Sequence, residues 1–161
     1  MSAQYFNQRP EFLNANRIWI FGWQAGIDFN TTPLSTFQSP IIIGEGIAVA
    51  CDPATGDLRF YSDGRTVRDR WHNIMPNGMG ISGNNGSTTQ GACIVPVPGD
   101  PDKYLLFSLE YENDPGRLYY SEIDLSLNGG LGDVVSTRKN IQLDSNLSEA
   151  MTAIPGDNCD I

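Results

Sequence analysis

Positive charge is scarce in this chain: ten lysines and arginines stand against nineteen aspartates and glutamates, a formal net charge of −9. Nucleic acids and anionic membrane surfaces need a basic face, so neither is expected as a partner. Arg65, Arg68 and Arg70 form the one local basic cluster, and a solvated loop face accounts for it. No apolar run approaches the roughly 18 residues that a membrane-crossing helix needs, so no membrane insertion is expected. Histidine is reduced to His72, and no G-x-S-x-G or H-E-x-x-H spacing occurs, so the usual parts of a nucleophile with its base are missing. Three cysteines, Cys51, Cys93 and Cys159, cannot all pair within one chain, and without C-x-x-C spacing there is no zinc ribbon. Cys51 and Cys93 lie beside apolar runs, where buried free thiols explain them better than reactivity does. Met1 to Gln4 lacks the charged and apolar regions of a complete signal peptide, although Ser2-Ala3-Gln4 also fits the small-residue end of one.

Against those absences stands a repeated pattern. Gly46 to Gly64 reads GIAVACDPATGDLRFYSDG, with an apolar run (Ile47 to Cys51), a turn (Asp52 to Asp57) and an alternating run beginning at Leu58. Pro53 presets φ at the second turn position, Gly56 accepts positive φ, and the flanking aspartates can bond turn amides, which predicts a β-hairpin. Ala92 to Val97 leads through Pro98-Gly99-Asp100-Pro101-Asp102 into Tyr104 to Ser108, a second copy at an offset of about 46 residues. Met151 to Ile154 followed by Pro155 to Cys159 starts a third, about 56 residues further on.

The remainder reads as more strand and loop. Residues 1–16 are expected to be an extended lead-in, and residues 17–161 the domain. Arg17 to Phe21 is a first strand, Gly22 to Asn30 a turn with a short second strand, and Thr31 to Pro40 a loop. Asp63 to Gln90 lacks periodicity and is expected to be an irregular binding or surface loop. Arg117 to Leu125 alternates, with Leu118, Tyr120 and Glu122 on one face and Tyr119, Ser121 and Ile123 on the other. Asn128-Gly129-Gly130 turns the chain, Val134-Val135 and Asn140 to Leu143 are further strand pieces, and Leu147 to Met151 is the one candidate helical turn. With no long amphipathic helix, the class is all-β.

Candidate chemistry is sparse. Gly78-Met79-Gly80-Ile81-Ser82-Gly83 matches G-x-G-x-x-G, but the nucleotide fingerprint needs a strand before it and a helix after it, and Pro76-Asn77 and Asn84-Asn85-Gly86 supply neither. Asp52, Asp57, Asp100, Asp102 and Asp114 sit in turns, where capping accounts for them. Asp124, Asn128 and Asp133 are the residues a structural calcium ion would use, though their spacing is not that of an EF-hand; otherwise no metal and no cofactor is implied. Asn30, Asn85 and Asn146 begin N-x-S/T triplets. Trp19, Trp23, Trp71, Tyr119 and Tyr120 could meet a glycan or protein, but most are expected to fill gaps in the core. Trp71 is the exception because it lies in the long loop. Should that loop bind a ligand, Trp71, His72, Asn84 and Asn85 are its candidate contacts, and no residue is assigned a catalytic role.

Several runs carry a resemblance. Ile18-Trp19-Ile20-Phe21-Gly22, Ala25 to Asn30, Asp52 to Gly56 and Phe60 to Gly64 resemble the N-terminal β-propeller region of large surface proteins of gliding bacteria. Met75 to Gly78, Thr89-Gln90-Gly91, Leu118 to Ser121 and Leu127 to Asp133 continue the likeness along nearly the whole chain. Proteins of that family carry immunoglobulin-like repeats and a gliding-motility-associated C-terminal sorting domain read by type IX secretion. Arg68 stands near where they usually have tryptophan. The resemblance implies an exported, extracellular or cell-surface, non-enzymatic adhesion module that presents propeller loops to surface polysaccharide or protein. A blade takes about 45 residues and a closed propeller at least four blades, so about three are expected here: a partial β-propeller, a fragment of a larger one or one that self-associates through exposed strand edges. The competing expectation is a propeller-type glycoside hydrolase or sialidase-like enzyme using acidic residues, Tyr119 or Tyr120, and the arginine cluster.

Overall fold

The computed structural model describes residues 10–84, 86–111 and 115–153. Among the described residues, twelve strands form three antiparallel sheets, taken up in chain order. The first sheet holds β1 (Ile18–Phe21), β2 (Ala25–Asp28) and β3 (Ser35–Gln38). The second holds β4 (Ala48–Cys51), β5 (Leu58–Ser62), β6 (Thr66–Asp69) and β7 (Ile74–Met79), each beside its sequence neighbour. The third runs β8 (Ala92–Val97), β9 (Asp100–Leu109) and β10 (Leu118–Asp124). Two short strands share the far edge of β10: β11 (Asp133–Val134) pairs with its last residues and β12 (Ile141–Asp144) with its first.

Both expected hairpins form. In the first, Asp52 Oδ1 accepts the Ala54 and Thr55 amides at 2.8 and 3.2 Å, and Gly56 takes φ +84°. In the second, β8 and β9 pair from Ala92↔Ser108 to Pro96↔Tyr104. The all-β class therefore holds, and four local expectations change. Residues Pro10–Asn14 of the lead-in wind into a short helix, α1, with proline at its first position, where its missing N–H costs nothing. Asn14 Nδ2 docks that helix on the β4–β5 turn through the carbonyls of Pro53 and Ala54. The Thr31 to Pro40 loop contains β3, which is fixed by a tertiary contact: the Phe37 ring covers Gly26, its partner on β2, so closely that a Cβ there would lie 2.4 Å from the ring. The long region after Asp63 contains β6 and β7. Pro76 and Gly78 obscure β7 in the sequence, yet both are tolerated because β7 is an edge strand. Leu147 to Met151 forms no helix. The third turn, Pro155 to Cys159, lies outside the described residues.

The second sheet is covered on both faces. Phe60, Ala50 and Val67 pack with Met75, Leu106, Tyr104, Ile123 and Val134, which belong mostly to the third sheet. Phe60 and Tyr104 meet edge to face, their ring centroids 5.1 Å apart. On the opposite face, Tyr61 and Cys51 pack with Ile18, Ile20, Ile41 and Ile43 of the first sheet and the segment after it. The Cys51 and Cys93 thiols are free, and burial pushes both up from their ordinary ionisation range. Both therefore stay protonated and unreactive at neutral pH.

Truncating Phe60, which is wholly buried, should cost about 3–5 kcal/mol of unfolding free energy. Phe21→Ala, at a ring 43 % exposed, should cost less than about 1 kcal/mol. Urea unfolding of the two variants checks this, and equal losses would show that the core is not centred on β5.

Candidate functional site

Antiparallel pairing sends the β2–β3, β4–β5, β6–β7, β8–β9 and β10–β11 connections to one end of their sheets. That end carries two adjoining hollows. The larger, about 820 Å³, draws on all three sheets: Asp28 and Asn30 from the first, Asp57, Arg70 and Trp71 from the second, and Gly129 and Leu131 from the third. The smaller, about 390 Å³, lies between the second and third sheets and is lined by Asp52, Arg59, Asp102 and Ser126 among others. Asp57, Leu58 and Arg70 line both, so the two form one groove.

Trp71 is presented at the groove by a turn fixed from below. Asp69, buried at the end of β6, accepts the amides of Trp71 and Asn73 on Oδ1 at 2.8 and 2.9 Å, and its carbonyl accepts the His72 amide at 3.0 Å. His72 takes φ +68°, a left-handed conformation that non-glycine residues adopt at a cost. Its ring stacks on Phe37 of the first sheet and shares a 3.0 Å hydrogen bond between Nδ1 and the Tyr61 hydroxyl. Burial pushes the Tyr61 phenol up to about 12, so it keeps its proton across the ordinary pH range. With His72 held inward, the Trp71 indole is left 67 % exposed.

The charges in the groove are unevenly matched. Arg59 donates through Nε and Nη2 to Asp52 Oδ2, at 3.2 and 2.7 Å, and through Nη1 to the Pro101 carbonyl and the Tyr104 hydroxyl. Burial works against ionisation of Asp52, but the bond from Arg59 and the two turn amides outweigh it and hold the carboxyl below its usual value. Arg70 Nη2 donates to the Gly130 carbonyl at 2.6 Å, tying the second sheet's turn to the third sheet's loop. Asp28 accepts the Asn30 amide and Asp57 the Thr55 hydroxyl, both at 2.7 Å. Among the described residues no salt bridge involves Asp28, Asp57 or Asp102.

The four expected ligand contacts separate. Trp71 lies in the groove, while His72 is half-buried in the packing beneath it. Asn84 is 3 % exposed and its amide is spent inside the fold: Nδ2 donates to the Asp63 carbonyl at 2.8 Å, and Oδ1 accepts the Gly86 and Thr88 amides. It is a loop brace, not a ligand contact. Asn85 lies outside the described residues. Of the calcium candidates, Asp124 and Asp133 are opposite one another on β10 and β11, and Asn128 sits in the loop joining those strands. Asp124 Oδ1 accepts the Ser126 amide and hydroxyl, and Asp133 accepts Asn77 Nδ2 at 3.0 Å. Among the described residues no three His, Cys, Asp or Glu side chains gather as metal ligands would.

The aromatic residues also depart from expectation. Trp19, Trp23 and Trp71 are exposed, whereas Tyr119 is buried, its hydroxyl donating to Glu110 Oε1 at 3.2 Å. Arg117 clasps the same carboxylate through Nε and Nη2, both at 2.9 Å. Burial opposes ionisation of Glu110, but these bonds prevail and its carboxyl lies below the usual range. Tyr119 lines neither hollow, so it is not beside the groove carboxylates. Asp28 and Arg59 are groove residues that sequence reasoning did not single out, and Asn30 and Arg70 stood out there only as the start of a glycosylation triplet and as part of the basic cluster. The one local signal was Arg70 beside Trp71, because nothing in the sequence shows that three separate turns converge. No family model, curated protein or solved structure matches the chain.

The lowered values of Asp52 and Glu110 have a definite sign. The stability they contribute is fully present above the unfolded carboxylate value of about 4 and disappears as pH falls through the folded values. The urea midpoint should therefore drop between pH 6 and pH 3, and drop less in a D52N/E110Q double variant. An identical drop in both proteins would remove these two carboxylates from the acid response.

Proposed function

We propose that this protein is a non-catalytic glycan-binding module of adhesive type, belonging to an exported surface protein, and that its three sheets are successive blades of a β-propeller. The blade reading is supported by the chain-order, up-and-down connection of each sheet and by the stacking of the second sheet between the other two. It is supported also by the outer faces of the stack. Trp19 and Phe21 alternate with the buried Ile18 and Ile20, and Ile141 and Leu143 lie open at the other end, as apolar surface that a further sheet would cover. The location outside the cell rests on the resemblance of the Ile18 to Gly22, Asp52 to Gly56 and Leu127 to Asp133 runs to exported surface proteins.

One observation carries the glycan reading. An exposed indole stands on a hydrogen-bonded turn at a groove whose walls offer carboxylates, an amide and a guanidinium drawn from three sheets. A sugar ring presents apolar C–H faces and a belt of hydroxyls. The indole would take the face, while Asp28, Asp57, Asn30 and Arg70 would bond the belt. Binding here involves no bond cleavage. Asp28 and Asp57 bond neighbouring turn groups, and neither Tyr119 nor Tyr120, the tyrosines a sialidase-like site would draw on, lines the groove.

Glycan-array binding of the wild-type chain against Trp71→Ala tests this. The loss of the indole should weaken retained glycans at least tenfold, on the order of 1.4 kcal/mol or more, while changing stability by less than about 0.5 kcal/mol. Unchanged binding would remove the groove from the proposal.

A further inference from the structure

The groove's shape and indole mark where a sugar would sit, and its charges decide which sugar. Four carboxylates line it, Asp28, Asp52, Asp57 and Asp102, against the two guanidinium groups of Arg59 and Arg70. Arg59 is already committed to Asp52, to the Pro101 carbonyl and to Tyr104, and so has little to offer an incoming anion. Arg70 has one of its nitrogens on Gly130. Asp28 and Asp57 line the same hollow as Trp71 and have no cationic partner among the described residues. A ligand that covers them takes water from two carboxylates. That desolvation is offset poorly by hydroxyl donors and well by an ammonium group. The same ammonium gains from the face of the Trp71 indole. A uronate or sulfated chain meets the reverse: unpaired carboxylates in the groove, and a protein of net charge −9 around it.

We infer that the groove selects glycans bearing free amino groups, of the poly-glucosamine type, over their N-acetylated counterparts, and rejects polyuronates. The inference rests on the glycan reading above and adds the class of sugar.

The test is calorimetric titration at pH 6 with three β-linked probes of equal length: a glucosamine oligomer, the N-acetylglucosamine oligomer and a uronate oligomer. The glucosamine oligomer should bind at least tenfold more tightly than the acetylated one, with an advantage that shrinks as salt is raised, and the uronate should not bind. In D28N/D57N, whose side chains keep the shapes and acceptor oxygens that bond Asn30 and Thr55, the glucosamine-to-acetylated ratio should fall towards one. Glu45→Gln with Asp144→Asn removes the same charge at the opposite end of the sheets and should leave the ratio intact. An equal fall in both double variants would show diffuse attraction to an acidic protein and would overturn the inference. So would uronate binding that matches the amine, or a ratio near one in the wild type. If the acetylated oligomer binds in a Trp71-dependent way without any preference for the amine, the charge inference falls and the glycan reading stands. If none of the three binds, both fall.

Discussion

Everything in this fold depends on β5 being buried from both sides. Phe60 and Tyr61 are adjacent in sequence, so a strand must point them to opposite faces, and both are wholly inaccessible to solvent. Covering Phe60 requires the third sheet and covering Tyr61 requires the first. Two neighbouring aromatic side chains thereby oblige three sheets to stack, and the stack puts their turns side by side at one end.

The groove follows from that stacking, because its walls come from turns far apart in the chain. Asp28 and Asn30 precede Gly129 and Leu131 by about a hundred residues, and no local segment could form this surface alone. The core and the groove are also linked directly. Tyr61 bonds His72, His72 stacks on Phe37, and the residue before His72 is the exposed tryptophan. The turn that carries the indole is thus braced by the interface between the first and second sheets. A side chain proposed for recognition gains from such a turn, because the backbone that carries it has little freedom left to lose.

Aspartate does two kinds of work here, and composition alone cannot separate them. Asp52, Asp63, Asp69, Asp100 and Asp124 each accept an amide two residues on, the short-range bond that makes aspartate a turn residue. Asp52 also holds Arg59, and Asp69 is buried to shape the Trp71 turn. Asp28 and Asp57 make local bonds as well, but their positions leave the carboxylates facing the groove. The acidity of the chain therefore reflects turn construction first, and the proposed preference for amine-bearing glycans uses what the turns leave over.

The hairpins at Gly46 to Gly64 and Ala92 to Ser108, the strand at Arg17 to Phe21 and the alternation of Arg117 to Leu125 were legible in the residues, since turn chemistry and two-residue periodicity act over short range. So was the all-β class. The strands β3, β6 and β7 were not. Their residues are polar or carry proline and glycine, and their strand conformation comes from a pairing partner and from packing such as Phe37 on Gly26. His72 and Trp71, neighbours in one turn and both candidate ligand contacts, proved opposite, one packed inward and one left open. Asn84 looked like a free loop amide and proved to be a buried brace. By itself the sequence determined which segments extend and where they turn, because those are properties of adjacent residues. Which turns meet, which side chains are buried by them and which carboxylates face the groove were decided only when the sheets stacked, because those are properties of residues that touch across the whole length of the chain.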